Sequence, residues 1–450
     1  MIEKYKTQLT QFLNLLKFEH YLFCFIIFLS FLVKLIFIFK FTDYKQYLVS
    51  DMLGYWARAE ARFEGKIVDQ GQIAIWAPFY HYILAEFFKY LAYFGALEYK
   101  HEAILVLNVV CSTLSLIPFY LIVYNVSKSK RASFAALILY AFNFILIYFN
   151  TFILIENLAI PLLVFAVYLL FVHSDKYFMI LFAGIIFGSV VGLRPALGLI
   201  GISCVFYIFF TCGKNMKSVI RTILFIIGFL MVISLIMIEN YHVSGGKIKS
   251  LSAHGGANFA LAQCRMRRLT THYDGYTWTL SPPIFNEGND FSRREIYEAP
   301  VPFYNQKYYY RLGFACLKLH PENRLENLKM IKALFWGPLF PFAYSIKWIA
   351  PGNKIFSYII FLMFISLGLL YCPIKDKKLD SRKMLFLLSI PLWIMLVGYF
   401  YASAQRQMLP AYFAIYTMFF ALLPSIKHYE LQALKYFSIL LLIYILPSII

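Results

Sequence analysis

The sequence has few charged residues: only 14% of its 450 residues are Asp, Glu, Lys or Arg, whereas a soluble domain carries roughly 25%. Acidic residues are especially scarce, at 23 against 42 basic ones, and 61% of the residues are hydrophobic. Apolar runs such as 23–39, 103–124 and 355–371 approach or exceed the length that crosses a hydrocarbon core of ~30 Å at ~1.5 Å per residue. The composition therefore excludes an ordinary soluble domain and predicts a membrane protein.

The sequence also lacks several familiar motifs. It contains no zinc-finger spacing, no His/Cys cluster with metal-ligand spacing, no G-x-S-x-G and no phosphate-binding P-loop. No small-residue cleavage site follows the first apolar run, so we do not expect a cleavable signal peptide. A formal charge of +19 would suggest nucleic acid for a soluble protein. Here cytoplasmic topology determinants and contacts with lipid headgroups explain the basic residues better.

Threading the chain through a bilayer predicts an all-α polytopic membrane protein of about eleven spans with a cytoplasmic N-terminus. The predicted spans are 21–40, 103–124, 132–149, 157–172, 177–193, 196–212, 222–239, 355–372, 384–402, 411–425 and 436–450. Each short loop that this threading places inside carries Lys or Arg, which agrees with the positive-inside rule. The apolar stretch 333–349 is interrupted by Pro338 and Pro341, so we expect it to re-enter or to lie at the interface.

Two large loops, 42–100 and 240–335, fall on the non-cytoplasmic side in this threading. The predicted units are an N-terminal transmembrane module at 1–240, a second-loop region at 241–335 and a C-terminal transmembrane module at 336–450. Cys264 and Cys316 both lie in the second loop and can pair if that compartment is oxidising. Spacing alone does not establish the geometry, so the disulfide stays open at this point.

Four ionisable residues fall at the outer ends of predicted spans. They are Asp51, Glu156, Arg194 and Arg406. Ionisable groups at membrane depth are costly, so they usually mark function or a buried pair. Their common side predicts an active site at the outer interface, covered by the two large loops.

Asp51 begins an amphipathic stretch in which Tyr55, Arg58 and Ala59 follow at helical spacing. A carboxylate in this position can act as a catalytic group, and it can also serve simply as the N-cap of the helix. We predict a catalytic role for Asp51, with Tyr55 and Arg58 as substrate-binding residues.

Glu156, Arg194 and Arg406 each have a structural alternative to a functional role. A carboxylate at a helix N-terminus is favoured by the helix dipole even when it is solvated. Arginines at span ends can snorkel to the interface. Alternatively, the fork of donors on Arg194 and Arg406 can bind a lipid-linked phosphate. We predict a catalytic role for Glu156 and donor-phosphate binding for the two arginines.

The second loop contains a glycine pair within Ser252-Ala-His254-Gly255-Gly256-Ala-Asn258. Glycines let a backbone approach a ligand closely, but they also form ordinary turns. We list His254, Gly255, Gly256 and Asn258 as candidate substrate-binding residues. The segment 281–305, rich in Pro, Asn and Gly, is either a loop that orders over substrate or a plain surface loop.

The order of these pieces resembles the GT-C glycosyltransferases that use polyprenyl-phosphate sugars, in the bacterial branch related to protein O-mannosyltransferases and lipid A aminoarabinose transferases. The matching pieces are Asp51-x-x-x-Tyr55-x-x-x-Ala59, Glu156-Asn157, Arg194-Pro195, His254-Gly255-Gly256-Ala257-Asn258, His320-Pro321 through Trp336-Gly337-Pro338, and Arg406 to Pro410. They span nearly the whole chain. In the last piece Gln405 replaces the family's usual acid and Gln407 replaces its usual Tyr.

The resemblance implies an inverting membrane glycosyltransferase at the periplasmic face of a bacterial inner membrane. Its donor would be a polyprenyl-phosphate-linked sugar, and its acceptor would be lipid A or lipopolysaccharide, another glycan or a protein. Asp51 would be the general base, with Glu156 orienting the acceptor or the sugar. We expect no cofactor and no nucleic-acid partner, and a divalent cation is left open.

Two other function classes fit parts of the sequence. A transporter or flippase would place polar residues near mid-bilayer, in broken helices from paired repeats. Here the polar groups sit at the outer ends, no repeat is obvious, and Lys34 is the main charge inside a predicted span. An O-antigen ligase or polymerase also has large outer loops, but it does not need a carboxylate just after the first helix.

Overall fold

The computed structural model describes residues 2–48, 51–66, 77–211, 216–253, 255–264, 267–272, 275–280, 305–319, 321–331, 333–336, 349–371, 380–401 and 405–422. Predicted span 436–450, His254, and most of the stretches 281–305 and 333–349 lie outside these residues.

The described residues up to Val243 form eleven α-helices. They are α1 Ile2–Phe41, α2 Asp51–Phe63, α3 Phe79–Tyr93, α4 Lys100–Leu114, α5 Leu116–Ser127, α6 Lys130–Ala141, α7 Phe144–Phe149, α8 Glu156–Val172, α9 Tyr177–Leu193, α10 Ile200–Thr211 and α11 Met216–Val243. Short 3-10 turns at Tyr44–Gln46, Leu97–Tyr99 and Pro195–Leu199 connect some of them.

The second half adds further helices and one small sheet. The described elements are α12 Gly255–Gln263, strands β1 Arg267–His272 and β2 Gly275–Leu280, α13 Gln306–Leu319, α14 Asn323–Met330, α15 Ala333–Trp336, α16 Ile349–Tyr371, α17 Ser381–Phe400, α18 Gln405–Met408 and α19 Tyr412–Leu422, with a 3-10 turn at Leu409–Ala411 before α19. The strands pair antiparallel, Arg267 opposite Leu280. No pattern in the sequence predicted this hairpin.

Four helical segments among the described residues are long and apolar enough to cross a membrane. They are Glu19–Phe41, Leu97–Ser127, Met216–Val243 and Ser381–Phe400. Four shorter apolar helices accompany them: Glu156–Val172, Tyr177–Leu193, Pro195–Thr211 and Ile355–Ser366. These helices support a helical membrane protein, while the count of eleven spans and the sidedness of the loops stay predictions.

Predicted span 132–149 is divided into two helices, whereas predicted span 103–124 lies inside the single apolar segment Leu97–Ser127. Within that segment α4 and α5 meet at Ser115, whose backbone keeps α-helical angles, and Pro118 lies in the first turn of α5. The span predicted at 132–149 becomes α6 and α7. Here the side chain of Asn143 caps α7 by accepting a hydrogen bond from the Leu146 N–H at 3.2 Å.

The hairpin of α8 and α9 determines where the candidate site lies. A connection of only four residues, 173–176, joins the two helices, so they run antiparallel and pack against each other. Helix α11 packs closely on α9, because Gly184 faces the Phe225 carbonyl and Gly228 faces the Leu181 carbonyl, where a Cβ would collide. The N-terminus of α8 and the C-terminus of α9 therefore lie at the same end of the bundle.

Helices α12 and α13 form a unit in the second loop. The disulfide that the sequence left open is present, between Cys264 and Cys316. A Cβ at Gly256 would lie 2.8 Å from the Gln306 carbonyl oxygen, so this glycine permits close packing of the two helices. Gln306 in turn donates to Oγ of Ser250 at 2.8 Å, which connects the unit to the chain that follows α11.

Candidate functional site

The four charged residues singled out in the sequence come together as two ion pairs. Arg194 Nη1 lies 2.9 Å from Glu156 Oε1, and Arg406 Nη2 lies 2.7 Å from Asp51 Oδ2. Arg194 also donates from Nη1 to the backbone carbonyl of Arg406 at 3.4 Å, which links the pairs. We call these four residues the polar cluster.

Each member of the polar cluster comes from the end of a different element. Glu156 is the first residue of α8, and Arg194 caps the C-terminus of α9. Asp51 opens α2, the first helix after α1, and Arg406 lies in the short helix α18. The antiparallel arrangement of α8 and α9 alone brings Glu156 to Arg194, although 38 residues separate them.

The burial of Glu156 and Arg194 excludes the structural alternatives that the sequence had left open for these two residues. Glu156 is 2% exposed and Arg194 is 7% exposed, so neither the solvated carboxylate nor the snorkelling arginine describes them. A charge buried this deeply is stable only when it is paired and hydrogen-bonded. The Glu156–Arg194 pair therefore forms the fixed part of the polar cluster.

The second pair is more accessible. The side chains of Arg406 and Asp51 are 22% and 20% exposed, respectively. Burial lowers the pKa of Arg406, but the charges of Asp51 and Glu156 outweigh it, so the net pKa is raised above its ordinary value. Arg406 is thus a permanent cation beside a carboxylate that solvent or a ligand can reach.

Tyr55 lies against the polar cluster, one helical turn after Asp51. It is 3% exposed, and burial, followed by the negative charges of Asp51 and Glu156, raises its pKa well above the ordinary value. The Tyr55 phenol is therefore neutral at physiological pH and keeps its proton as a hydrogen-bond donor.

Tyr80 in α3 is a further candidate site residue, which no pattern in the sequence predicted. Its ring packs edge-on against Tyr55 with centroids 5.1 Å apart, and burial, followed by the charge of Glu156, raises its pKa. Its hydroxyl is buried, and no other described residue hydrogen-bonds to it. The sequence offered no strong signal for it, because Tyr80 is one of 35 tyrosines and has no motif around it.

The other candidate residues have local contacts in the structure. Arg58 is buried, and its Nη1 donates to the carbonyl of Gly54 in its own helix at 2.9 Å. Gly255 and Gly256 begin α12 and face Tyr310 and Gln306 of α13. Asn258 is half-buried in α12. Both glycines thus serve the packing of α12 on α13, and a ligand-binding role for them stays a prediction.

No group of three His, Cys, Asp or Glu side chains that could hold a metal ion occurs in the described part of the chain. No family model matches the sequence, and no curated protein is significantly similar to it.

Proposed function

We propose that the chain is a membrane glycosyltransferase that moves a sugar from a polyprenyl-phosphate carrier to an acceptor at the non-cytoplasmic face of a bacterial inner membrane. The observation that carries the proposal is the convergence of Asp51, Glu156, Arg194 and Arg406 from four elements into one polar cluster. Glycosyl transfer from a lipid phosphate needs a carboxylate for the acceptor and cations for the leaving phosphate, and this cluster supplies both.

In the proposed reaction, Asp51 accepts the proton of the acceptor hydroxyl while the acceptor oxygen bonds to the anomeric carbon. The bond from that carbon to the phosphate oxygen breaks, and polyprenyl phosphate leaves with inversion. Arg406 is paired with Asp51 before the donor arrives. A donor phosphate that takes over Arg406 would release Asp51 to act as the base, so one exchange of partners couples donor binding to activation of the acceptor.

The buried pair has a different part in this proposal. Because Arg194 is held by Glu156 and also donates to the backbone of Arg406, it positions the segment that carries the exchangeable arginine. Its positive charge adds to the stabilisation of the developing phosphate charge. Glu156 orients the arginine, and through it the donor.

The test uses purified protein with synthetic polyprenyl-phosphate sugars and an acceptor extract. Asp51→Asn should lower turnover by about 10²- to 10⁴-fold, the usual contribution of a general base. Glu64→Gln is the matched control, because Glu64 lies just beyond the same helix and pairs with Lys66 at the surface. Turnover in Asp51→Asn equal to that of the control would remove Asp51 from the reaction.

Mass spectrometry of lipids and glycans from a deletion strain identifies the sugar and its acceptor. The proposal expects one glycan mass to disappear and to return with the wild-type chain but not with Asp51→Asn. An unchanged glycan profile together with an altered distribution of a lipid across the membrane would favour a transporter instead.

A further inference from the structure

Lys34 is a buried cation inside the first predicted span. It lies seven residues before the C-terminal end of α1, which is roughly 10 Å along the helix axis, and its side chain is 3% exposed. Its ammonium donates to Oγ of Ser112 in α4 at 3.1 Å. No described carboxylate forms an ion pair with it. A lysine at this depth is expensive, so its retention calls for a physical explanation.

Lys34 lines a pocket that reaches Glu156. The pocket has a volume of about 30 Å³, and its polar lining includes Lys34, Ser112, Ser115, Asn150, Glu156 and Asn157. The polar cluster uses Oε1 of Glu156, since that atom binds Arg194. The pocket therefore connects Glu156 with Lys34 of α1, a helix that supplies no member of the polar cluster.

Two acceptors on residues that line the pocket have no hydrogen-bond donor among the described residues. They are Oε2 of Glu156 and Oδ1 of Asn150, and both atoms are buried. The Asn150 amide nitrogen is already used, because it donates to the carbonyl of Leu146 at 2.7 Å. A buried acceptor without a donor costs about 1–3 kcal/mol, and more when it is charged. The Lys34 side chain uses one of its protons in the hydrogen bond to Ser112 and has others to donate.

Water fits this pocket better than an ion or a larger ligand. A buried water needs a cavity of about 10–15 Å³ and two to four polar partners, and the pocket meets both conditions. The positive charge of Lys34 disfavours a metal ion, and the volume excludes a phosphate or a sugar. Water molecules in the pocket can accept a hydrogen bond from Lys34 and donate hydrogen bonds to Glu156 and Asn150.

We propose that Lys34, Asn150 and Glu156 hold buried water, and that Lys34 acts through it as a positioning residue for the Glu156 carboxylate. Arg194 then fixes one oxygen of Glu156 directly, while Lys34 fixes the other through water. The inference concerns a water site and the geometry of Glu156, so it does not depend on glycosyl transfer.

The first test is a cryo-electron microscopy map of the wild-type protein in nanodiscs, at a resolution that shows ordered waters elsewhere in the molecule. We expect water density within hydrogen-bond distance of Lys34 Nζ and Glu156 Oε2. A dry pocket in such a map, or a direct contact between the two side chains, would overturn the water site.

The second test is a double-mutant cycle on melting temperature, with Lys34→Met and Glu156→Gln. Lys34→Met should lower the melting temperature in the wild-type background. In the Glu156→Gln background the same lysine substitution should lower the melting temperature by less than half as much, because the negative partner of the lysine is gone. Lys40→Met is the matched control, since Lys40 lies exposed on the same helix, and its effect should be the same in both backgrounds. Equal effects of Lys34→Met in both backgrounds would show that Lys34 acts independently of Glu156.

An infrared measurement separates positioning from general stability. The difference between wild type and Glu156→Gln isolates the carboxylate stretching band of Glu156. We expect Lys34→Met to shift this band, because Oε2 loses its water-mediated donor, and Lys34→Gln, which retains N–H donors, to shift it less. If Lys34→Met does not fold, Asn150→Leu replaces it, since that change removes an acceptor from the water and leaves both charges. An unshifted band in a folded variant would contradict the proposal.

Discussion

Two ion pairs meet at one end of the helix bundle, and they differ in their access to solvent. The side chains of Glu156 and Arg194 are 3% and 9% exposed, whereas those of Asp51 and Arg406 are 20% and 22% exposed. A buried pair cannot lose one partner without leaving a desolvated charge, while an accessible pair can exchange a partner for solvent or ligand. The comparison assigns a structural task to the first pair and an exchangeable, substrate-facing task to the second.

The largest effect on stability is expected at the buried pair. Glu156→Gln leaves the guanidinium of Arg194 buried without a counter-charge, so unfolding should become easier by about 3–5 kcal/mol. The measurement is denaturant or thermal unfolding in detergent at neutral pH. If Glu156→Gln lowered the free energy of unfolding by less than Asp51→Asn does, Glu156 and Arg194 could not be the fixed pair.

Removing both partners of the buried pair should destabilise the protein less than removing one. In Glu156→Leu with Arg194→Met no desolvated charge remains, and replacing buried pairs by apolar residues is often close to neutral. Unfolding of the double variant should therefore lie within about 2 kcal/mol of the wild type, while the proposed transfer activity is lost. A double variant as unstable as Glu156→Gln would mean that the pair organises the neighbouring backbone in another way.

For the exchangeable pair, Asp51 and Arg406, we expect a small effect on stability and a large effect on turnover. Asp51→Asn should change the free energy of unfolding by about 1 kcal/mol or less, because the pair is partly solvated, although we expect it to lower turnover by about 10²- to 10⁴-fold. The measurement is the same unfolding experiment carried out at low and high salt, since screening acts on exposed charges. A salt-independent loss of several kcal/mol would place Asp51 with the fixed pair.

The smallest effect is expected at an ion pair outside the cluster. Glu86 and Lys89 form an i,i+3 pair on α3 at 2.8 Å, with side chains 61% and 52% exposed. Glu86→Gln should change stability by about 0.5 kcal/mol or less and leave activity unchanged. This variant gives the baseline against which the other three are compared.

Local features of the sequence predicted much of the helical framework. The predicted spans 157–172 and 177–193 match α8 and α9 within one residue, because hydrophobic runs and their polar ends are local properties. The division of span 132–149 was missed because an asparagine inside an apolar run reads as part of that run. Only the backbone shows that Asn143 caps a new helix.

Candidate site residues were predictable to different degrees. Rare charges at span ends stand out in an apolar sequence, so Asp51, Glu156, Arg194 and Arg406 were found. Tyr80 was missed because a buried tyrosine in an aromatic-rich chain has no distinguishing neighbours. The disulfide stayed open because pairing depends on the distance between two Cα atoms, which is 5.1 Å for Cys264 and Cys316 and is invisible in their spacing.

The sequence by itself determined that the chain is helical, that apolar helices of near-membrane length dominate it, and which few charges stand at their ends. These properties follow from side-chain hydrophobicity along short windows. The tertiary structure alone decided the partners: Glu156 with Arg194 across 38 residues and Asp51 with Arg406 across 355. It also decided that Glu156 shares a pocket with Lys34. Such pairings depend on helix packing, since only packing brings together the ends of elements that are far apart in the chain.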